Sequence, residues 1–319
     1  MRIVGTMSSI GFCALLAACG GNDAVNLQPP PPSSPMTWAL QAGTSSAQEA
    51  LQGLNFYPAA LTIDAGDTVV WTYPTGEPHT VTVVPAGKPI PPPNDPNAAL
   101  PAGGTSVDGT AFTSSGFKLL GDSYALKFPT PGTYVYHCLI HPGMVGTIVV
   151  NPAGTRYPTL QADATALGRG SAGADLAAAT ASVATFPYAG GGTHIAVGIS
   201  PPLANGQPSS ATVLRYLDGP ALSDQPLGIT VGTTLTWTNL SNKEPHTVSI
   251  APAGQAFPAV PPPGAPTGNT TFDGTKFSNS GNIFPGASYS LTFTAPGTYV
   301  VHCIYHDDTE HMVETIVVH

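Results

Sequence analysis

Charge is what this sequence has least of. Only 8% of its 319 residues are Asp, Glu, Lys or Arg, against about 25% in an average domain. Nine basic residues stand against 18 acidic ones and form no cluster, which excludes nucleic-acid binding. The same scarcity leaves little material for long solvated helices. Past the N-terminus there is no run of 18 apolar residues, so no internal membrane span is expected. Cysteine is rare as well: four residues, one of which, Cys13, lies in the N-terminal apolar stretch. What the chain has in quantity is glycine (36) and proline (35), with an ordinary 42% of hydrophobic residues. That mixture favours strands, turns and loops.

The N-terminus reads as an address. Arg2 precedes an apolar stretch, Ile3 to Leu15, that is too short to span a membrane, and Leu16-Ala17-Ala18-Cys19-Gly20 follows. Small residues before a cleavage point predict a signal peptide over 1–18. The adjoining cysteine resembles a bacterial lipobox, which implies that Cys19 is lipidated and anchors the chain to a membrane. An ordinary leader with an incidental cysteine is the other reading. Gly20 after the cysteine favours the outer membrane, by resemblance to sorted lipoproteins. Residues 19–36, with Pro29 to Pro32 at their centre, are expected to form an extended tether. The folded part would then lie on the periplasmic side of the envelope, in an oxidising compartment.

The rest of the chain is said twice. Pro131-Gly132-Thr133-Tyr134-Val135-Tyr136-His137-Cys138 returns as Pro296-Gly297-Thr298-Tyr299-Val300-Val301-His302-Cys303. Glu77-Pro78-His79-Thr80-Val81 returns as Glu244-Pro245-His246-Thr247-Val248, and Met144 to Val150 returns as Met312 to Val318. Three blocks in one order at nearly one offset (167, 165 and 168 residues) predict two copies of one domain, at 37–152 and 193–319. Their β-branched and aromatic segments read as short strands: Asp67 to Tyr73, His79 to Val84, Tyr124 to Phe128, Thr133 to Cys138, Thr147 to Val150 and their counterparts. Gly, Pro and Asn punctuate between them. The class is all-β, a sandwich or small barrel in each copy. The linker, 153–192, carries an Ala-rich stretch from Thr159 to Thr185 that suits a helix, against which Gly168, Gly170 and Gly173 argue.

Function enters with the ligand inventory. The first copy has Cys138-x2-His141-x2-Met144, the second Cys303-x2-His306-x5-Met312, and each has one histidine far upstream, His79 or His246. Two imidazoles, one thiolate and a weak thioether are the donor set of a blue-copper electron-transfer site. Alone, Cys-x2-His is weak. The whole set twice, in register, is strong.

Both copies resemble cupredoxins, the plastocyanin and amicyanin family. The resemblance covers about 250 residues and implies two tandem Greek-key β-sandwich domains, each with one type 1 copper at one end. Cys138-Leu139-Ile140-His141-Pro142-Gly143-Met144 matches the short amicyanin-type loop. The second loop is three residues longer, which leaves Met312, His311 or an open position as axial possibilities. The resemblance implies one-electron transfer with a redox partner protein, no substrate chemistry and no organic cofactor. The rival readings are a copper-binding or storage protein without a partner, and a two-domain oxidoreductase of the nitrite reductase or small laccase type.

The oxidoreductase reading needs further copper ligands. His137 and His302 precede the cysteines on strands and point to the opposite face. The chain has no His-x-His pair, and Val84 and Ala251 stand where nitrite reductases carry another histidine. His137 and His302 are therefore read as structural, with a further copper as the other reading. A Cys138–Cys303 disulfide would require the two site ends to face one another. Asp307, Asp308 and Glu310 read as a solvated acidic loop, with steering of a basic partner as the alternative.

Overall fold

Alternation of side chains builds this fold. In Gly132–His137, Tyr134 and Tyr136 point into the core while Val135, 43% exposed, points out. In Thr68–Thr72, Val69 and Trp71 are buried and their neighbours are not. The computed structural model describes residues 35–319 apart from 94, 97–99, 186–191, 203–208, 219–224, 253–254, 256, 258–265, 267 and 269. The expected signal peptide, Cys19 and nearly all of the tether lie outside the described residues.

The first copy contains β1 (Thr37–Ser45), β2 (Leu51–Tyr57), β3 (Ala60–Asp64), β4 (Thr68–Thr72), β5 (Thr82–Val83), β6 (Pro101–Ala102), β7 (Thr113–Ser115), β8 (Ser123–Lys127), β9 (Gly132–His137) and β10 (Val145–Asn151). The connecting helix α1 spans Gln161–Thr185. The second copy contains β11 (His194–Ile199), β12 (Ala211–Leu217), β13 (Leu227–Ile229), β14 (Thr234–Leu240), β15 (Ser249–Ile250), β16 (Thr271–Phe272), β17 (Ser278–Asn279), β18 (Ser288–Phe293), β19 (Gly297–His302) and β20 (Val313–Val318). Among the described residues the protein is thus mostly β, with one helix. The strand expected from His79 to Val84 shrinks to Thr82–Val83, because His79 and Thr80 turn their groups to the site described below.

Each copy is a sandwich, and the two share a layer. One nine-stranded sheet runs β16-β18-β14-β11-β12-β2-β1-β4-β8 through both copies. The second layers are separate: β3-β10-β9-β5-β7-β6 and β13-β20-β19-β15-β17. The seam is β2 against antiparallel β12, with Leu51, Gln52 and Gly53 opposite Val213, Thr212 and Ala211. The seam joins two edges that would otherwise present unpaired backbone groups.

Helix α1 covers the seam, packing on β1, β2 and β12. Its inward residues, Ala164, Gly168, Ala172, Asp175, Ala179 and Val183, recur every three or four positions and form one face. Ala179 and Val183 join Leu51, Ala196, Ile199, Ala211, Val213 and Leu217 in a core shared by both copies. Gly168 fits because the helix crosses β2 closely: a Cβ there would sit 2.8 Å from the Tyr57 carbonyl carbon. Gly170 and Gly173 face open space. Tertiary packing thus holds a helix that its glycines disfavour. Asp175 is the polar pin, accepting from the Tyr57 hydroxyl (2.7 Å) and the Ser210 amide (3.1 Å). Among the described residues no helix is long and apolar enough to cross a membrane.

Candidate metal centres

Two strands and a loop deliver the donors in each copy. Cys138 follows the last residue of β9, and the chain returns through Met144 into β10. The Cys138 amide donates to the Met144 carbonyl (3.0 Å), and the Met144 amide donates to His141 O (3.0 Å), closing the loop on itself. His79 comes from the opposite side, held by paired backbone bonds with Lys118 (3.0 and 2.9 Å).

The donor atoms converge. His79 Nδ1 lies 3.1 Å from His141 Nδ1, and Cys138 Sγ lies 3.4 Å from His141 Nδ1 and 3.9 Å from His79 Nδ1. The second copy repeats this: His246 Nδ1 is 3.2 Å from His306 Nδ1, and Cys303 Sγ is 3.3 Å from His306 Nδ1 and 3.7 Å from His246 Nδ1. All six residues are buried. The sulfurs are fixed identically, each accepting from a backbone amide at 3.4 Å, Thr80 to Cys138 and Thr247 to Cys303. Each threonine also uses its Oγ1 to accept from the amide after the cysteine, at 2.8 Å for Leu139 and 3.0 Å for Ile304.

Met144 and Met312 are both buried in the same clusters as their cysteines. His311 is exposed with a left-handed φ of 55°. The longer second loop therefore turns at His311 and still returns Met312 to the position of Met144, with its amide donating to His306 O (2.8 Å). Both cysteines are free thiols directed at their own histidines, not at each other.

Electrostatics separate the histidines within each pair. Burial opposes ionisation of Cys138, yet contact with His141 and His79 holds its thiol well below the ordinary range. Burial disfavours the charged form of His141, but Cys138 and Glu77 push it up to about 10. Burial dominates at His79 and His246, which are pushed down. His306 is pushed well up by Cys303 and Glu77 against its burial.

The sequence reading missed Glu77 and Glu244, although both begin the repeated Glu-Pro-His-Thr-Val block. Glu77 Oε1 lies 2.9 Å from His141 Nε2, and its other oxygen lies 3.4 Å from His306 Nε2 of the second copy. Burial opposes its charge, but His306 and His141 hold it well below the carboxylate range. Glu244 sits differently. It accepts from Thr212 Oγ1 (2.9 Å) and Ser241 Oγ (3.1 Å), lies 3.6 Å from His246 Nε2, and is pushed up by burial.

The acidic loop corrects an expectation. Glu310 is 1% exposed, not solvated, and packs with Thr309 on Gly76 of the first copy. Its carbonyl accepts from Arg215. Asp307 lies 3.1 Å from His302 Nδ1, and Phe257 packs on the same ring with centroids 4.1 Å apart. His137 is half-buried and pairs in the ladder with Val145.

The donors fit copper. Three convergent, buried atoms, two imidazole nitrogens and a thiolate-prone sulfur, with a thioether residue closing the loop, are what this metal takes and what hard cations do not. Fold and site define a chain of two β-sandwiches, each with one type 1 copper site.

The model of the family "Copper binding proteins, plastocyanin/azurin family" matches residues 43–151 and 221–319, and the chain belongs to that family. It is similar to the plastocyanins of Tetradesmus obliquus (37% identity; 30% of this chain, 59% of the relative) and Scenedesmus fuscus (34%; 30% and 87%), and to amicyanin-alpha of Methylorubrum extorquens (26%; 45% and 99%). The chain spans 59% and 53% of the length of the chloroplastic plastocyanins of Tetradesmus obliquus and Pisum sativum. Among solved structures, a reduced Cu(I) amicyanin variant is similar at 23% identity, over 36% of this chain and 82% of that one, with a TM-score of 0.26.

Proposed function

We propose that the chain carries electrons one at a time outside the cytoplasm, between partner proteins, without transforming a substrate. The observation that carries this reading is the duplicated buried trio, His79–Cys138–His141 and His246–Cys303–His306. Copper, when bound, supplies a one-electron couple. The donor set that would hold it is Cys138 and Cys303 as thiolates and the four histidines through Nδ1, with Met144 and Met312 as thioether donors. Because the donor atoms already converge and are backed by backbone bonds, little rearrangement accompanies a change of oxidation state. Burial keeps water off the metal. His137 and His302 serve the strands. Export with attachment through Cys19, as the N-terminal sequence implies, would let the chain meet a redox partner in the envelope.

A copper titration of the soluble chain without the anchoring cysteine, residues 20–319, tests this. Intense thiolate-to-copper absorption should rise to two coppers per chain. Electrochemistry then separates carrier from store, since fast reversible exchange belongs to the carrier. Saturation without visible absorption would overturn the reading. So would nitrite or oxygen reduction by a third copper.

A further inference from the structure

In a metal site the second nitrogen of a ligating histidine commonly donates to a carboxylate, which fixes the ring. In this chain one carboxylate faces two such rings from two domains. Glu77 Oε1 is hydrogen-bonded to His141 Nε2 at 2.9 Å, and Oε2 makes an ion-pair contact with His306 Nε2 at 3.4 Å. All three residues are buried, at 6%, 2% and 3% exposure. The ring edges that point away from the donor clusters thus face each other across the domain boundary.

Three features hold the arrangement. The turn that carries Glu77 is braced by Thr75 Oγ1 donating to the Glu77 carbonyl (3.2 Å) and by the Gly76 amide donating to Glu49 (3.4 Å). The seam of β2 and β12 fixes the two copies in one sheet. The extra length of the second loop places Thr309 and Glu310 against Gly76. Glu244, the repeat equivalent of Glu77, is engaged by Thr212, Ser241 and His246 of its own copy.

We propose that Glu77 is a shared positioning residue that joins the two copper centres into one unit and lets them exchange an electron inside the chain along His141–Glu77–His306. In that exchange one copper is oxidised by one electron and the other is reduced by one. No bond forms or breaks, and each Nε2 keeps its proton. The proposal rests on the copper reading above.

The test uses the full mature chain. Cys303→Ser leaves only the first centre and Cys138→Ser only the second. Glu77→Ala and the isosteric Glu77→Gln are placed in each background and in the two-copper chain. Copper affinity, blue absorption and midpoint potential are read at each centre. Loss of the carboxylate should lower copper affinity about 10–100-fold at both centres, with Glu77→Gln intermediate because its single oxygen serves one ring. After rapid partial reduction of the two-copper chain, re-equilibration between the centres should slow in Glu77→Ala relative to the parent chain. An unmoved second centre in the Cys138→Ser, Glu77→Ala chain would overturn the sharing. An unchanged exchange rate in Glu77→Ala would overturn the route. Both outcomes leave the copper reading intact, whereas a parent chain that binds no blue copper overturns the two together.

Discussion

Gly76 of the first domain and Glu310 of the second touch across the domain boundary. A Cβ on Gly76 would lie 2.8 Å from Glu310 Oε1 and 2.5 Å from the Thr309 Cβ. The longer second ligand loop therefore carries an interdomain contact. Gly76→Ala should force that loop away. Overpacking of this kind costs about 1–3 kcal/mol, read as a lower midpoint in urea. The second centre's absorption should shift while the first centre's, isolated by Cys303→Ser, stays put. An unperturbed second centre would show that the loop's position is set elsewhere.

Thr80 and Thr247 hold the cysteine loops. Thr80→Val keeps shape but removes the acceptor of the Leu139 amide, leaving a buried donor unpaired at about 1–3 kcal/mol. The ring of His141, three residues after the sulfur, loses its fixed support. Copper affinity at the first centre should fall about 10–100-fold with the second unaffected, and Thr247→Val should do the reverse. Competition titration of the single-centre chains measures both.

The two buried His-Cys-His trios were legible because their residues are local and repeated. Cys138, His141 and Met144 lie within one loop, and the block at His79 recurs at His246. The unequal loop length was legible too, but its cause was not, since Thr309 and Glu310 meet Gly76 only in three dimensions. Glu77 was visible as a repeated residue without a role. Its role depends on His306 in the other copy, and no spacing encodes that distance. The shared sheet was hidden for a related reason. Leu51–Tyr57 and Ala211–Leu217 lie outside the repeated blocks, and an edge strand's sequence does not state which edge it joins. For Gln161 to Thr185, propensity sets the alanines against the glycines, and the packing that overrides it comes from β2 and β12.

The Tyr57–Asp175 bond ties the first domain to the helix, and the Ser210 amide ties the helix to the second. Asp175→Ala should cost about 1–3 kcal/mol by leaving buried donors unpaired. The same bond gives a pH dependence. Burial, followed by the charge and hydrogen bond of Asp175, raises Tyr57 far above its ordinary value. A raised folded-state value means that this contribution is complete below the unfolded tyrosine value of about 10 and is lost as pH climbs above it. Stability should therefore decline above about pH 10, and Tyr57→Phe should show a shallower decline at a lower neutral-pH stability. Equal slopes for the two chains would remove Tyr57 from the account.

The glycines of the connecting helix divide by environment. At Gly168 an added Cβ would lie 2.8 Å from the Tyr57 carbonyl carbon and 2.9 Å from the Pro58 nitrogen, both backbone atoms that cannot step aside. At Gly170 and Gly173 an added Cβ meets nothing within 4 Å. Gly-to-Ala exchange in an open helix interior gains about 0.5–1 kcal/mol. Gly170→Ala and Gly173→Ala should each raise the thermal midpoint. Gly168→Ala should lower it, because separating the helix from β2 opens the core of Leu51, Ala179 and Val183 that spans both domains. The sign at Gly168 also decides whether α1 is a passive connector or part of the clamp on the seam. If it is a clamp, Gly168→Ala should also slow electron exchange between the centres, since the same seam keeps Glu77 within reach of His306. A stabilised Gly168→Ala chain with unchanged exchange would make α1 a connector only.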